Sequence, residues 1–272
     1  MKIAGVQMDV KLGNVEHNVA RISDFTEEAA VKGARLIVFP ECASTGYCFE
    51  SFEEAATFAE PIPGPTVETT LTVCQQHQVF VVLGMLEKVG EKVFNSCVCV
   101  GPNGLVGQYR KVHLPELGVD HFTTPGDRPF AVQTADDFRI GMSICYDVSF
   151  PEVSRALALA GADILVLPTN WPPGAEPTAA HVVNARASEN KVYFIAVNRV
   201  GFERGFGFIG MSKICNVHGN TLAASNHMDE AIIYAEIDPA EARDKRIVRV
   251  PGKHAIDRFA DRRPEMYGSL LD

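Results

Sequence analysis

Apolar and polar positions along this chain fall into blocks whose period switches between strand-like and helix-like. Residues 2–8 (Lys-Ile-Ala-Gly-Val-Gln-Met) read as a first strand. Asn14 is placed to cap a helix over roughly 17–33, where Val19, Ile22, Phe25, Ala29 and Ala30 recur at helical spacing before Gly33 ends it. The unbroken apolar run Leu36-Ile37-Val38-Phe39, closed by Pro40-Glu41, is the pattern of a strand buried on both faces, so the opening is a βαβ unit. Helical stretches at 51–60 and 66–78 flank a proline-rich break, and 79–84 is a further buried strand. Residues 85–110 read as shorter strands around turn signals at Gly90 and Asn103-Gly104, followed by a loop through Pro125-Gly126-Asp127.

The second half repeats this logic. A strand over 138–145 is followed by a helix at about 151–160, a strand at 163–168, a helix at about 177–190 and a strand at 192–198. Two more strand candidates, 209–217 and 231–237, flank the turn His218-Gly219-Asn220. Four strands end in a side chain fit for chemistry: Glu41, Cys145, Asn170 and Asn198. Buried strands alternating with helices predict an α/β fold of two sheets covered by helices. No linker separates the halves, so residues 1–272 are expected to form one domain, with a charged arm at about 239–272 that packs on the surface or on a partner subunit.

Composition narrows the function. The chain is 46% hydrophobic and 22% charged, which supplies ample core, and its net charge of −9 argues against a nucleic-acid partner. No apolar run approaches the roughly 18 residues of a membrane span, and no leader-like segment opens the sequence, so a soluble, cytoplasmic protein is expected. Seven scattered cysteines make no disulfide framework. Cys97-Val98-Cys99 lacks a second pair, and the eight histidines show no ligand spacing, so no metal and no cofactor are expected.

Cys145 stands where an apolar strand turns sharply into a helix, with Asp147 and Ser149 as capping residues and Pro151 suited to the first turn. A thiol at the carboxyl end of a buried strand lies where α/β sheets carry ligand crevices. Such a thiol needs a base or a nearby cation to act as a nucleophile. Glu41 is a candidate base and Lys111 a candidate charge for a developing oxyanion. Taken singly, each has a plainer reading: an inert buried cysteine, a loop glutamate, a solvated lysine.

Taken together they do not. Phe39-Pro40-Glu41, Tyr109-Arg110-Lys111-Val112-His113-Leu114 and Ser143-Ile144-Cys145-Tyr146-Asp147, in that order and at those separations, resemble the nitrilase superfamily of carbon–nitrogen hydrolases. Residues 184–190 with 197–199, the run 210–219 and Arg262 to Gly268 fit the same pattern, so the resemblance covers essentially the whole chain. It implies a four-layer αββα sandwich of two mixed sheets, paired into a homodimer or larger assembly through the nucleophile's helix and the tail. It also implies a Glu–Lys–Cys triad of Glu41, Lys111 and Cys145, working through a thioester without a cofactor. The backbone N–H of Tyr146 would assist at the oxyanion.

One departure concerns a second glutamate that many members carry after the lysine motif. Here Asp120 is the first candidate for that place and Glu116 the second. Cys-Tyr-Asp resembles the amidase branches, and Val148 and Ser149 stand where carbamoyl-amino-acid hydrolases carry cations; Arg199 or Arg204 remain as alternative sources of charge. Asn170 and Trp171 are candidate pocket residues beside Tyr146, and 202–208 is a candidate lip. The expected reaction is hydrolysis of a small linear amide to acid and ammonia. The alternatives are a nitrilase or N-carbamoyl hydrolase on the same triad, a Cys–His enzyme using His113, and a binding module on an inactive scaffold.

Overall fold

The structure is a computed structural model that describes residues 1–271. In its first half, β1 (Lys2–Gln7) leads into α1 (Val15–Val31), whose first turn is capped by the Asn14 side chain accepting from His17 N–H, and then into β2 (Ala34–Val38). Helices α2 (Phe52–Phe58) and α3 (Pro65–His77) follow, the first trimmed at both ends of its sequence pattern and the second begun one residue earlier, at Pro65. The chain then runs as a meander of β3 (Phe80–Val89), β4 (Lys92–Gly101) and β5 (Gly104–Arg110). The turns fall at Gly90 and Gly104, both at positive φ.

The second half contains β6 (Val132–Ala135), β7 (Phe138–Met142), α4 (Pro151–Leu159), β8 (Ile164–Thr169), α5 (Val183–Asn190) and β9 (Tyr193–Asn198). A short hairpin of β10 (Phe202–Glu203) and β11 (Phe206–Gly207) precedes β12 (Lys213–Cys215), β13 (Thr221–Ala224) and β14 (Ala231–Glu236). Helix α6 (Pro239–Arg243) and the hairpin β15 (Arg246–Val250) and β16 (His254–Asp257) form the arm. Three expectations shift. The strand expected over 138–145 is β7, which ends at Met142 before the turn that carries Cys145. The strand expected over 209–217 is only β12, because Gly210 and Met211 adopt positive φ just before it. The helix expected from 177 begins with a π turn at Thr178–Val182, where Lys213 Nζ donates to the Ala180 carbonyl.

The strands form two six-stranded mixed sheets, ordered β14-β1-β2-β3-β4-β5 and β13-β12-β9-β8-β7-β6. Residue alternation explains the layers. Ile3, Leu36, Val38, Phe80, Val82, Cys97 and Cys99 join the second sheet's core, whereas Ala4, Val6, Ile37, Val81, Leu83 and Val98 lie in the cluster with α1 and α3. The far face of the second sheet is covered by Val153 and Leu157 of α4 and Val183 and Ala187 of α5. Both faces of each central strand are therefore apolar, as the unbroken runs required. The sheets come close at Gly5, where a Cβ would lie 3.0 Å from Val197 Cγ2. The result is an αββα sandwich in one domain, its parallel strands β2, β7, β8 and β9 ending toward a common edge.

Candidate active site

Glu41 follows β2 through Phe39-Pro40, and its backbone presses on β3 at Gly84, where a Cβ would stand 2.6 Å from Glu41 Cα and 2.4 Å from Cys42 N. Only a glycine permits that approach. The Glu41 side chain is fully buried. Its Oε1 accepts from Lys111 Nζ at 2.8 Å and from Asn95 Nδ2 at 2.7 Å. Its Oε2 is buried and has no hydrogen-bond partner among the described residues. Burial, above all, raises the Glu41 carboxyl above its ordinary range; Lys111 opposes the shift and Asp120 adds to it.

Lys111 sits one residue past β5 and is also fully buried. Its backbone N–H donates to Asn95 O at 2.8 Å. Its ammonium lies between two carboxylates, Glu41 and Asp120, the latter at 2.5 Å. Burial works against that charge, yet the two carboxylates outweigh it and hold the lysine protonated, well above the ordinary lysine range. Asp120 is buried as well, and accepts from Tyr47 OH and from Asn95 Nδ2, both at 2.8 Å. Glu116 is exposed. Of the two acids considered for the second position, the fold brings in Asp120 alone. Asn95 was not anticipated: a lone asparagine in a strand has no spacing signal, and only the pairing of β4 with β5 turns it toward Lys111.

Cys145 opens a tight 3-10 turn, Cys145–Ser149, between β7 and α4, and it sits at φ +46°. A non-glycine residue in the left-handed region costs on the order of 1–3 kcal/mol and persists only where its surroundings impose it. The surroundings here are Asp147. Its buried carboxylate accepts from Ile144 N–H at 2.9 Å, Tyr109 OH at 2.8 Å and His113 N–H at 3.2 Å, and His113 Nδ1 lies 2.7 Å from it. Tyr109 and His113 stand two residues either side of Lys111, so one carboxylate ties the lysine segment to the cysteine turn. His113 is therefore engaged with Asp147 and stacked on Phe150, at 3.7 Å between ring centroids.

The Cys145 thiol feels Glu41, Lys111 and Asp120, and the backbone of Asn170 next to it favours the thiolate. Burial, with Glu41 next, pushes it well above its ordinary pKa, so at neutral pH the sulfur keeps its proton. This site needs a base at the moment of attack. Asn170 is fully buried at the end of β8, and neither its side-chain nitrogen nor its oxygen has a partner among the described residues. Trp171 is buried in the core, its backbone clasped from both sides by the Asn198 amide. Tyr146 is 41% exposed, and its ring meets Phe150 edge-on.

The two arginines considered as substrate cations are otherwise engaged. Arg199 is fully buried on Glu203 and the Val10 carbonyl, and Arg204 pairs with Glu54. Among the described residues no His, Cys, Asp and Glu cluster could hold a metal ion, and no helix is long and apolar enough to cross a membrane.

The sequence pattern of the carbon–nitrogen hydrolases matches residues 2–247. A nitrilase of Pyrococcus abyssi is 39% identical to this chain, over 98% of it and 99% of the relative. An (R)-stereoselective amidase of a Pseudomonas species is 36% identical over 88% of this chain and 85% of its own. Among solved structures, an amidase mutant from Nesterenkonia sp. AN1, bearing acrylamide added at its active-site cysteine, superposes with a TM-score of 0.82 over all of both chains at 22% identity. With the family pattern spanning nearly the whole chain and relatives matching end to end, this protein belongs to the carbon–nitrogen hydrolase family of the nitrilase superfamily and is an enzyme of that class.

Proposed function

We propose that the enzyme hydrolyses a small, uncharged linear amide to its acid and ammonia, with Cys145 as nucleophile, Glu41 as general base and acid, and Lys111 as oxyanion donor. Glu41 takes the thiol proton as sulfur bonds to the carbonyl carbon. Lys111 and the Tyr146 N–H stabilise the oxygen, each such donor being worth roughly 3–4 kcal/mol. The C–N bond then breaks as Glu41 returns its proton to nitrogen, leaving a thioester and free ammonia. Water, deprotonated by the same carboxylate, attacks the thioester and releases the acid and the thiol. Asp120 serves as the second acid: it shares Lys111 with Glu41 and helps keep the ammonium charged.

The observation that carries this reading is a protonated thiol in the field of Glu41 and Lys111, with Glu41 Oε2 and both ends of the nearby Asn170 side-chain amide buried without partners among the described residues. An unpaired buried polar atom costs roughly 1–3 kcal/mol, and an amide substrate offers both the N–H donors and the acceptor that would complete them. Tyr146 and Trp171, the chain neighbours of Cys145 and Asn170, are the proposed substrate-binding residues. An uncharged substrate is favoured because Arg199 and Arg204 are held by Glu203 and Glu54. The cytoplasm, where thiols stay reduced, suits seven free cysteines.

The nitrilase among the relatives favours nitrile hydrolysis as the second reading. A panel of aliphatic amides, nitriles and N-carbamoyl amines, read by ammonia release, separates these readings. Cys145→Ala is expected to lose activity by about 10⁴-fold or more while keeping its circular dichroism spectrum. An active Cys145→Ala protein ends the proposal, and ammonia from nitriles alone replaces it with the second reading.

A homodimer through α4 and the arm is part of the proposal. Arg155 Nη1 is buried there without a partner among the described residues, beside a cavity of about 360 Å³ whose lining includes Arg258, Arg262, Tyr267 and Leu270.

A further inference from the structure

Asn95 is buried on β4, facing the ends of β2 and β5. Its Nδ2 donates to two carboxylates at once, Glu41 Oε1 at 2.7 Å and Asp120 Oδ1 at 2.8 Å, which exhausts both donors of a side-chain amide. Its Oδ1 accepts from Cys42 Sγ at 3.7 Å, and its backbone carbonyl accepts from Lys111 N–H at 2.8 Å. Asn95 thus bonds to Glu41, Asp120, Lys111 and Cys42 alike. At Glu41, both donors, Lys111 and Asn95, converge on the same oxygen. A carboxylate held by one donor can rotate and present either oxygen; with two donors on Oε1, rotation would break both bonds.

We propose that Asn95 is a positioning residue: by gripping Glu41 and Asp120 together, it holds Glu41 through Oε1 and reserves Oε2 for the thiol proton of Cys145. This rests on the triad reading above, with Glu41 as the base. Two consequences follow from losing the grip. Glu41 would sample orientations in which Oε2 faces Lys111, lowering kcat with little change in KM, because the substrate's own contacts are untouched.

The second consequence is a change in pH dependence. The groups facing Glu41 are Lys111 after β5, Asp120 on the turn after it, Cys42 and Tyr47 on the loop after β2, Cys97 on β4 and Cys145. Burial, the largest cause, and Asp120 favour the protonated acid, whereas Lys111 and the Asn95 hydrogen bond favour the anion. Removing one of the two supports raises the Glu41 pKa further. A base must be deprotonated to act, so the acid limb of kcat/KM moves to higher pH.

The test compares wild type with Asn95→Leu and with the smaller Asn95→Ala, on the best amide of the panel. Rates are normalised to active sites titrated with iodoacetamide, so that a partly misfolded preparation is not misread. The expected result is a fall in kcat of about 10- to 100-fold, KM within about twofold, and an acid limb displaced upward in both variants. A purely structural asparagine would lower the melting temperature and leave kcat per titrated site and the acid limb where they were; that result in either variant overturns the inference. Failure of the underlying reading shows elsewhere, as an active Cys145→Ala protein.

Discussion

Two buried charge clusters brace the loop that follows β2, and they are built to opposite specifications. In the first, every nitrogen of Arg199 and both oxygens of Glu203 have partners, although Asp9 Oδ1, 3.7 Å from Arg199 Nη2, makes no hydrogen bond among the described residues. Glu203 Oε2 accepts from the N–H groups of Tyr47 at 3.0 Å and Cys48 at 2.8 Å, its Oε1 accepts from Arg199, and the remaining Arg199 nitrogens donate to the carbonyls of Val200 and Val10. In the second, Glu41, Lys111, Asp120 and Asn95 are equally buried, but Glu41 Oε2 is left without a partner among the described residues. A closed network fixes geometry; an open one holds geometry and waits for a ligand to finish it. The lesson is that burial of charge does not by itself mark an active site. Incompleteness of its hydrogen bonding next to a nucleophile is the stronger pointer.

Three substitutions can break or sharpen that contrast. The largest effect on activity is expected from Glu41→Gln, which should lower kcat by about 10³-fold, since a positioned general base contributes on the order of 10²–10⁴. Its stability should not fall. The sign follows from the raised Glu41 pKa. A carboxyl raised on folding favours the folded state at low pH, and that contribution is lost as pH rises through the folded pKa, so at neutral pH the ionised group carries a cost that Gln removes. A melting temperature well below wild type would show that the open cluster is structural after all.

Glu203→Gln should do the reverse. Leaving Arg199 charged and buried with only the more distant Asp9 as counter-ion is expected to cost about 3 kcal/mol in urea unfolding, with kcat per titrated site changed far less than by Glu41→Gln. A stable Glu203→Gln protein with impaired chemistry would dissolve the distinction. The smallest effect belongs to Arg204→Ala on the exposed hairpin. Its surface pairs with Glu54 and Glu50 are expected to contribute less than about 1 kcal/mol, and kinetics on the uncharged amide should be unaltered. Weaker binding in Arg204→Ala would instead mark that arginine as a substrate contact.

Much of this arrangement is legible along the chain. The apolar runs ending at Phe39, Met142, Leu167 and Val197 announce strands buried on both faces, since nothing else accommodates such runs in a chain this size. The order and spacing of the motifs around Glu41, Lys111 and Cys145 carry the resemblance to the family, and with it the proposed triad. Patterning also identifies the breaks: Gly90 and Gly104 turn where turns were expected. It fails where the backbone departs from period. The π turn at Thr178–Val182 reads as plain helix, because its irregularity is stabilised by Lys213, a residue more than thirty positions away.

What only the tertiary structure decided is which polar groups are satisfied. Asp120 and Glu116 are equivalent as letters, four residues apart in one loop, and only the packing of that loop against Tyr47 and Lys111 buries the first and exposes the second. Asn95 carries no signal at all until β4 pairs with β5. Arg199 and Glu203 look as available for substrate as Lys111 does until each is seen to be fully engaged. Periodicity is a local property, set by how a few consecutive residues divide between water and core, and so it can be read in one dimension. Hydrogen-bond completion is a sum over partners that the fold gathers from distant segments. It takes a value only once the chain has closed.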